Sequence, residues 1–128
     1  MTFIRRRKAP KRRFEESRDM LIPKQGNLRF PVQLKWVRGH ECIINNNDCR
    51  GPIHAAHYDG PIPNEDRGGK SVKDHDKWTF PLCEHHHINE YHVLGWNRFD
   101  RKYRVDTKQV ALQTAMRSPH KHLWEMAR

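Results

Sequence analysis

The sequence predicts a small α+β domain that a metal ion stabilises, with extra C-terminal helices and a basic N-terminal arm. Hydrophobic residues make up only 35% of the 128 residues, so the core must be small, and a bound metal often stabilises such a domain. Short strand-like segments precede a helical C-terminal part. Three cysteines accompany ten histidines, and one of these cysteines and four of these histidines fall between Cys83 and His92.

The basic arm accounts for most of the net charge of +10. Residues 5–13, RRRKAPKRR, hold seven basic residues and no acidic one, whereas the rest of the chain has a net charge of +3. We therefore expect residues 1–25 to be a disordered arm and linker, and residues 26–128 to form the folded domain. Such a run binds nucleic-acid phosphates, although a solubilising tail has the same composition. The candidate nucleic-acid-binding residues of the arm are Arg5, Arg6, Arg7, Lys8, Lys11, Arg12 and Arg13.

Three segments have the pattern of strands. Apolar residues alternate over residues 30–36, which predicts a half-buried strand. Residues 53–58 and 78–83 predict two more short strands, with Pro81 ending the second. The polar stretch between them, residues 59–77, predicts a long loop, and loops of this length are usually functional or disordered.

The C-terminal part has helical character from about His87, with Gly95 as a break. The clearest helix is DTKQVALQTAMR, for which Asp106 or Thr107 is the expected N-cap and the following Ser-Pro pair marks the end. A final short helix is expected after that pair. The chain contains no apolar run that could span a bilayer and no apolar segment of a secretory signal near its N-terminus, so we expect a cytoplasmic protein without a membrane partner.

The cysteines and one histidine have the spacing of a zinc site. Two residues separate Cys83 from His86, as in a zinc knuckle, and structural zinc takes four S or N ligands in a tetrahedron. The alternative is that the cysteines are small core residues and the histidines a solvated run. The fourth ligand is open, since His85 and His87 adjoin His86. The expected set is Cys42, Cys49, Cys83 and His86.

Further histidines remain near this set, and neutral imidazole serves both as a metal ligand and as a general base. Phosphodiester hydrolysis needs both, because water must lose a proton and a cation must stabilise the charge on the phosphate. The segments HAAHYDG, RGGKSVKDHD and KWTFPLCEHHHINEYHVLG resemble the HNH endonucleases of the ββα-metal class. They are most similar to the phage-borne branch that contains the RecA-dependent recombination enhancement nuclease. The resemblance covers about residues 42–96.

The resemblance implies a role for each matching residue. His57 would be the general base, and Asp76 or Asp74 would orient it or close the loop. His87 and His92 would bind a catalytic divalent ion (Mg²⁺, Mn²⁺ or Zn²⁺), and the cysteine set with His86 would bind the structural zinc. The expected partner is DNA, with RNA not excluded and a recombinase filament as a further candidate.

The histidine spacing leaves alternatives open. Five positions separate His87 from His92, whereas an α-helix needs three or four for a shared face. Either the first turn is irregular or His85 replaces one of the two ligands. Ala56 stands where related enzymes have a further ligand, and Asp59 shares a strand face with His57 and could assist.

His54 is expected to be structural. In a strand, residues three apart face opposite ways, so His54 should point away from His57.

Lys70 and Lys73 in the loop are expected to contact phosphates. We therefore expect a metal-dependent DNA endonuclease of low sequence specificity, and the resemblance implies a role in phage DNA recombination or processing. A non-catalytic zinc-stabilised nucleic-acid-binding protein is the alternative.

Overall fold

The computed structural model describes residues 28–69 and 72–126. The predicted basic arm, the linker and Lys70 lie outside the described residues. The described part is a small mixed α/β fold with a two-stranded sheet and several helices, as the α+β prediction expected. The elements in chain order are α1 (Pro31–Arg38), β1 (Ile53–His57), a 3₁₀ turn (Asn64–Asp66), β2 (Thr79–Cys83), a π-helix (His85–Tyr91), α2 (His92–Tyr103), α3 (Thr107–Arg117) and α4 (Lys121–Met126).

The sheet is an antiparallel hairpin of β1 and β2, and both strands were predicted. The pairing runs from Ile53 opposite Cys83 to His57 opposite Thr79. Pro81 does not end β2, as the sequence suggested, but lies at its centre opposite Ala55. The Pro81 carbonyl accepts the backbone N–H of Ile43 at 3.1 Å. The backbone groups of Pro81 therefore point away from β1, so proline removes no hydrogen bond from the hairpin.

The strand predicted over residues 30–36 is wrong, because this segment forms helix α1. Pro31 begins the helix, where its missing N–H costs no bond and its fixed φ suits the first turn. Gln33 and Val37, four residues apart, are completely buried, whereas Val32 is 46% exposed. This is the burial pattern of a helix. The polar side chain of Gln33 can be buried here because the Ser118 hydroxyl donates to its side-chain oxygen.

The chain passes from β2 through Glu84 into the π-helix and from there into α2. The backbone N–H of His92 donates to the carbonyl of His87, a bond between residues five apart that defines a π-turn. Gly95 interrupts α2 with φ 83° and ψ 164°, a conformation that is essentially restricted to glycine. The break predicted at Gly95 is therefore confirmed.

The last two helices follow the sequence prediction closely. Asp106 is the N-cap of α3, and its carboxylate accepts the backbone N–H of Gln109 at 3.2 Å. Ser118 ends that helix with extended backbone angles, and α4 follows after one turn. No helix within the described ranges is long and apolar enough to cross a membrane.

The core lies between the hairpin and the helices that follow it. Phe80 and Leu82 of β2 are fully buried, and the ring of Phe80 meets the ring of Tyr91 edge to face at 5.5 Å. Tyr91 in turn meets Phe99 of α2 at 5.2 Å. These aromatic contacts fix the π-helix against the sheet, and so determine where its histidines stand.

Candidate active site

A cluster of three cysteines and one histidine joins the hairpin to the helix. Two of the cysteines come from the loop after α1, the third ends β2, and the histidine belongs to the π-helix. The Nδ1 atom of His86 lies 3.1 Å from the Sγ of Cys83. The other two Sγ atoms lie 3.6 and 3.7 Å from the same nitrogen. The four residues are Cys42, Cys49, Cys83 and His86, and their ligand atoms all lie within 4.8 Å of one another.

The donor set of this cluster fits a tetrahedral metal ion. Bonds of about 2.3 Å to sulfur and 2.0–2.1 Å to nitrogen place S and N about 3.6 Å apart in a tetrahedron. The three sulfur–nitrogen distances of 3.1, 3.6 and 3.7 Å are close to that value. None of the three cysteines forms a disulfide. The cluster is therefore compatible with a structural metal such as zinc.

The thiols of the cluster titrate differently because their surroundings differ. The pKa of Cys49 is raised to about 11, mainly by burial and in addition by hydrogen bonds to the two neighbouring thiols. Burial also acts to raise the pKa of Cys83, but hydrogen bonds from the backbone N–H groups of His86 and Arg50 and from the two neighbouring thiols together outweigh it, so the net shift is downward. Three thiolates this close repel one another, and a cation removes that repulsion.

A separate open pocket of about 310 Å³ lies beside the hairpin. Three of the predicted site histidines line it, namely His57 from β1, His87 from the π-helix and His92 from the start of α2. Lys73 and Asp59 also line this pocket. The structure thus brings together histidines that are distant in sequence.

The π-helix explains how His87 and His92 come together across five positions. Their ring centroids are 4.4 Å apart, with the rings at 68°. A π-turn contains more residues than an α-turn, so residues five apart fall on the same face. Of the two alternatives that the spacing left open, the irregular turn is present. His85, the other candidate, contacts Asn89 at 3.2 Å and does not line the pocket.

A buried carboxylate holds His57. The Nε2 atom of His57 lies 3.0 Å from Oδ1 of Asp76, whose side chain is only 1% exposed. Oδ2 of Asp76 accepts the backbone N–H of Phe30 at 2.6 Å. Arg29 reaches Oδ1 of Asp76 at 3.2 Å, and its guanidinium also donates to the carbonyls of Lys73 and Asp74. These contacts fix one edge of the His57 ring and leave Nδ1 free of Asp76.

Of the two loop aspartates considered from the sequence, only Asp76 contacts His57. Asp74 accepts the backbone N–H of Gly68 at 2.9 Å and the guanidinium of Arg67 at 3.4 Å. Its contacts close the loop, which is the second of the two roles expected for this pair. Arg29 was not identified from the sequence, because no short-range pattern links it to a residue 47 positions away.

The imidazole of His87 is kept neutral. Its pKa is lowered to about 4, mainly by burial and in addition by the neighbouring His92 and His54. A neutral imidazole retains a lone pair at neutral pH and can bind a metal ion.

The structure also brings His54 to this group, although alternation along the strand predicted a structural role away from the site. Nδ1 of His54 lies 2.8 Å from Nδ1 of His87. His54 and His57 do have different partners, as alternation predicts. Alternation, however, says nothing about which strand face the π-helix contacts.

Comparison with known proteins shows the family of the chain but not its activity. No curated protein and no solved structure matches it. A family described as a protein of unknown function (DUF968) matches residues 15–118, a range that includes the cysteine–histidine cluster and the whole lining of the pocket. The chain therefore belongs to the DUF968 family.

Proposed function

We propose that this protein is a metal-dependent endonuclease that hydrolyses DNA phosphodiester bonds. The main support is the pocket itself, in which a histidine bound to a buried carboxylate faces the same cavity as two adjacent histidines. The order of elements supports the same conclusion, since a β-hairpin followed directly by a helix is the arrangement expected of a ββα-metal (HNH) nuclease.

His57 acts as the general base in this proposal. Its Nε2 atom donates to Asp76, so Nδ1 carries the lone pair and can take a proton from a water molecule in the pocket. Asp76 keeps the ring in that tautomer and stabilises the imidazolium that forms. Arg29 holds the carboxylate in place through the contact at 3.2 Å.

His87 and His92 are the residues that would hold the catalytic divalent ion. Their adjacent rings and the neutral state of His87 fit such a role. A divalent ion such as Mg²⁺, Mn²⁺ or Zn²⁺ would supply positive charge for the scissile phosphate and the leaving 3′ oxygen. Asp59 lines the same pocket and adds a carboxylate on the side of His57.

In the same proposal the cysteine–histidine cluster binds zinc. Cys83 ends β2 and His86 is the second residue of the following π-helix, so a zinc ion would fix the helix against the hairpin. It would also fix His87, because His87 is the next residue in the chain. The structural ion would in this way maintain the geometry of the pocket.

DNA would be bound mainly through its phosphates. Lys73 is exposed and lines the pocket, so it is placed to contact a phosphate beside the scissile bond. The arm, with Arg5 and the other basic residues up to Arg13, would add contacts that carry no sequence information. We therefore propose low sequence specificity, and a role in phage DNA recombination or processing in the bacterial cytoplasm, with a recombinase filament as a candidate partner.

The test is cleavage of supercoiled plasmid and single-stranded DNA with added Mg²⁺ or Mn²⁺. Wild type is compared with His57→Ala, and with His122→Ala as a matched control, since His122 is exposed on α4 and outside the pocket. Loss of a general base should reduce cleavage about 10²–10⁴-fold. The control should cleave like wild type.

Two results would change the proposal. Equal cleavage by wild type and His57→Ala, both folded and equally loaded with zinc, would show that His57 is not the base. Tight DNA binding without cleavage by either protein would favour the non-catalytic zinc-stabilised binding protein. A matched RNA substrate tests whether the activity extends to RNA.

A further inference from the structure

His54 contacts the proposed metal ligand His87 but is not itself placed as a ligand. It lies on β1 opposite Leu82 and is half-buried. The two Nδ1 atoms are 2.8 Å apart and the rings are nearly perpendicular, at 82°. Among the described residues, the cysteine–histidine cluster is the group in which three or more ligand atoms lie within 4.8 Å of one another. His54, His87 and His92 therefore do not converge on one point, and the contact of His54 is a hydrogen bond.

The direction of this hydrogen bond decides which nitrogen of His87 is available. A neutral imidazole carries one N–H and one lone pair. If His54 donated, Nδ1 of His87 would accept, and the only proton of His87 would sit on Nε2, leaving no lone pair for a cation. If His87 donates from Nδ1, its Nε2 keeps a lone pair that can enter the pocket.

We propose that His54 is a positioning residue, which accepts the Nδ1 proton of His87 and so directs Nε2 of His87 to the catalytic ion. This inference rests on the proposed function, because it takes His87 as a ligand of that ion. His54 itself would carry its proton on Nε2. A hydrogen-bond acceptor on the far nitrogen fixes both the tautomer and the ring orientation of a metal-binding histidine.

The same contact compensates for the position of His87 in the chain. His87 lies on a π-turn rather than in a regular α-helix, and its side chain is only half-buried. The bond to His54 ties the ring to β1, the strand that also carries His57. The base and the metal ligand are then held by the same strand, which fixes their separation.

The test measures binding of Mn²⁺ to the full-length, zinc-loaded protein in the absence of DNA. His54→Ala should weaken Mn²⁺ binding about 10–100-fold, the usual effect of removing such a partner. His54→Asn should restore most of the affinity, because an amide oxygen can accept the same proton at nearly the same position. His87→Ala, measured alongside, should lose the site. Zinc content and thermal midpoint show whether each variant is folded.

Three outcomes would overturn the proposal, and they are distinguishable. If His54→Ala binds Mn²⁺ like wild type while His87→Ala does not, His54 has no positioning role and the proposed metal site stands. If His54→Asn is as weak as His54→Ala, His54 acts as a direct ligand. If His87→Ala also binds like wild type, the metal site of the proposed function is wrong, and the role of His54 falls with it.

A second measurement needs no variant. Long-range ¹H–¹⁵N correlation spectra of the wild-type protein distinguish the two tautomers of each histidine. We expect His87 to be protonated on Nδ1 and His54 on Nε2. A proton on Nε2 of His87 would contradict the proposed direction of the hydrogen bond, whether or not the variants fold.

Discussion

Substitution of Asp76 by alanine should lower the free energy of unfolding. It should also remove the contribution of His57 to the rate of DNA cleavage. The carboxylate of Asp76 accepts hydrogen bonds from Phe30 N–H, His57 Nε2 and Arg29, and its side chain is 1% exposed. Each buried donor left without a partner costs about 1–3 kcal/mol. Breaking a buried ion pair costs about 3–5 kcal/mol. The side chain of Arg29 is 29% exposed, and its guanidinium still donates to two backbone carbonyls in the variant. The loss of its contact with Asp76 therefore costs less than the loss of a fully buried ion pair.

We therefore expect Asp76→Ala to lower the free energy of unfolding by about 2–4 kcal/mol. For a domain of this size, each kcal/mol lowers the thermal midpoint by about 4–8 °C. Cleavage should fall about 10²–10⁴-fold at a temperature where the variant is folded, because His57 can then turn or change tautomer. The double variant His57→Ala/Asp76→Ala should cleave no more slowly than His57→Ala, since Asp76 acts through His57.

Asp66→Ala is the matched control. Asp66 is as deeply buried as Asp76 and accepts the indole N–H of Trp78 at 2.9 Å, with Lys77 at 3.4 Å, whereas the carboxylate that His57 contacts is that of Asp76. It should lose stability and keep cleavage. The reasoning fails if Asp76→Ala and Asp66→Ala lose cleavage equally when both are folded. It also fails if the two substitutions in the double variant multiply, because Asp76 would then act independently of His57.

Three further predictions concern the zinc cluster, the backbone and the loop. Cys83→Ser should lose zinc measured by atomic absorption and should unfold at a lower temperature, and full zinc retention would show that the cluster does not bind it. Gly95→Ala should cost about 1–3 kcal/mol in urea unfolding because of the backbone angles alone, since a Cβ there meets nothing within 4 Å. Unchanged stability would mean that Gly95 does not keep these backbone angles in the folded protein. Lys73→Ala should reduce the salt slope of DNA binding by about one in fluorescence anisotropy, whereas an unchanged slope would remove Lys73 from the DNA contact.

The parts of the fold that the sequence predicted are those with local signals. The hairpin strands are short apolar segments bounded by turn residues, and α3 has a side-chain cap at Asp106 and a Ser-Pro end. Helix α1 has a proline at its first position but no side-chain cap. One of its two buried positions is the polar Gln33, whose side-chain oxygen accepts a hydrogen bond from Ser118. Alternation of apolar residues suggested a strand instead. Tertiary contacts therefore decided this segment.

The residues of the pocket likewise divide into those that the sequence predicted and those that it did not. The cluster of histidines after Cys83 could be read from the sequence, and the spacing of His87 and His92 implied an irregular turn. The positions of Arg29 and His54 could not be predicted, because their contacts depend on how the loop and the π-helix pack against the hairpin. Such contacts between distant segments leave no short-range pattern.

The proline at the centre of β2 also bears on whether this strand can pair with a strand of another molecule. A two-stranded sheet exposes free backbone groups along its outer edges, and these edges can recruit strands from other molecules and start aggregation. On the outer edge of β2, Pro81 offers no N–H, and its carbonyl is already bound to Ile43. All five residues of β2 are buried, and the loop at Ile43 lies against this edge, so an incoming strand would not reach it. Pro81, which the sequence suggested would end the strand, instead binds the loop that covers its outer edge.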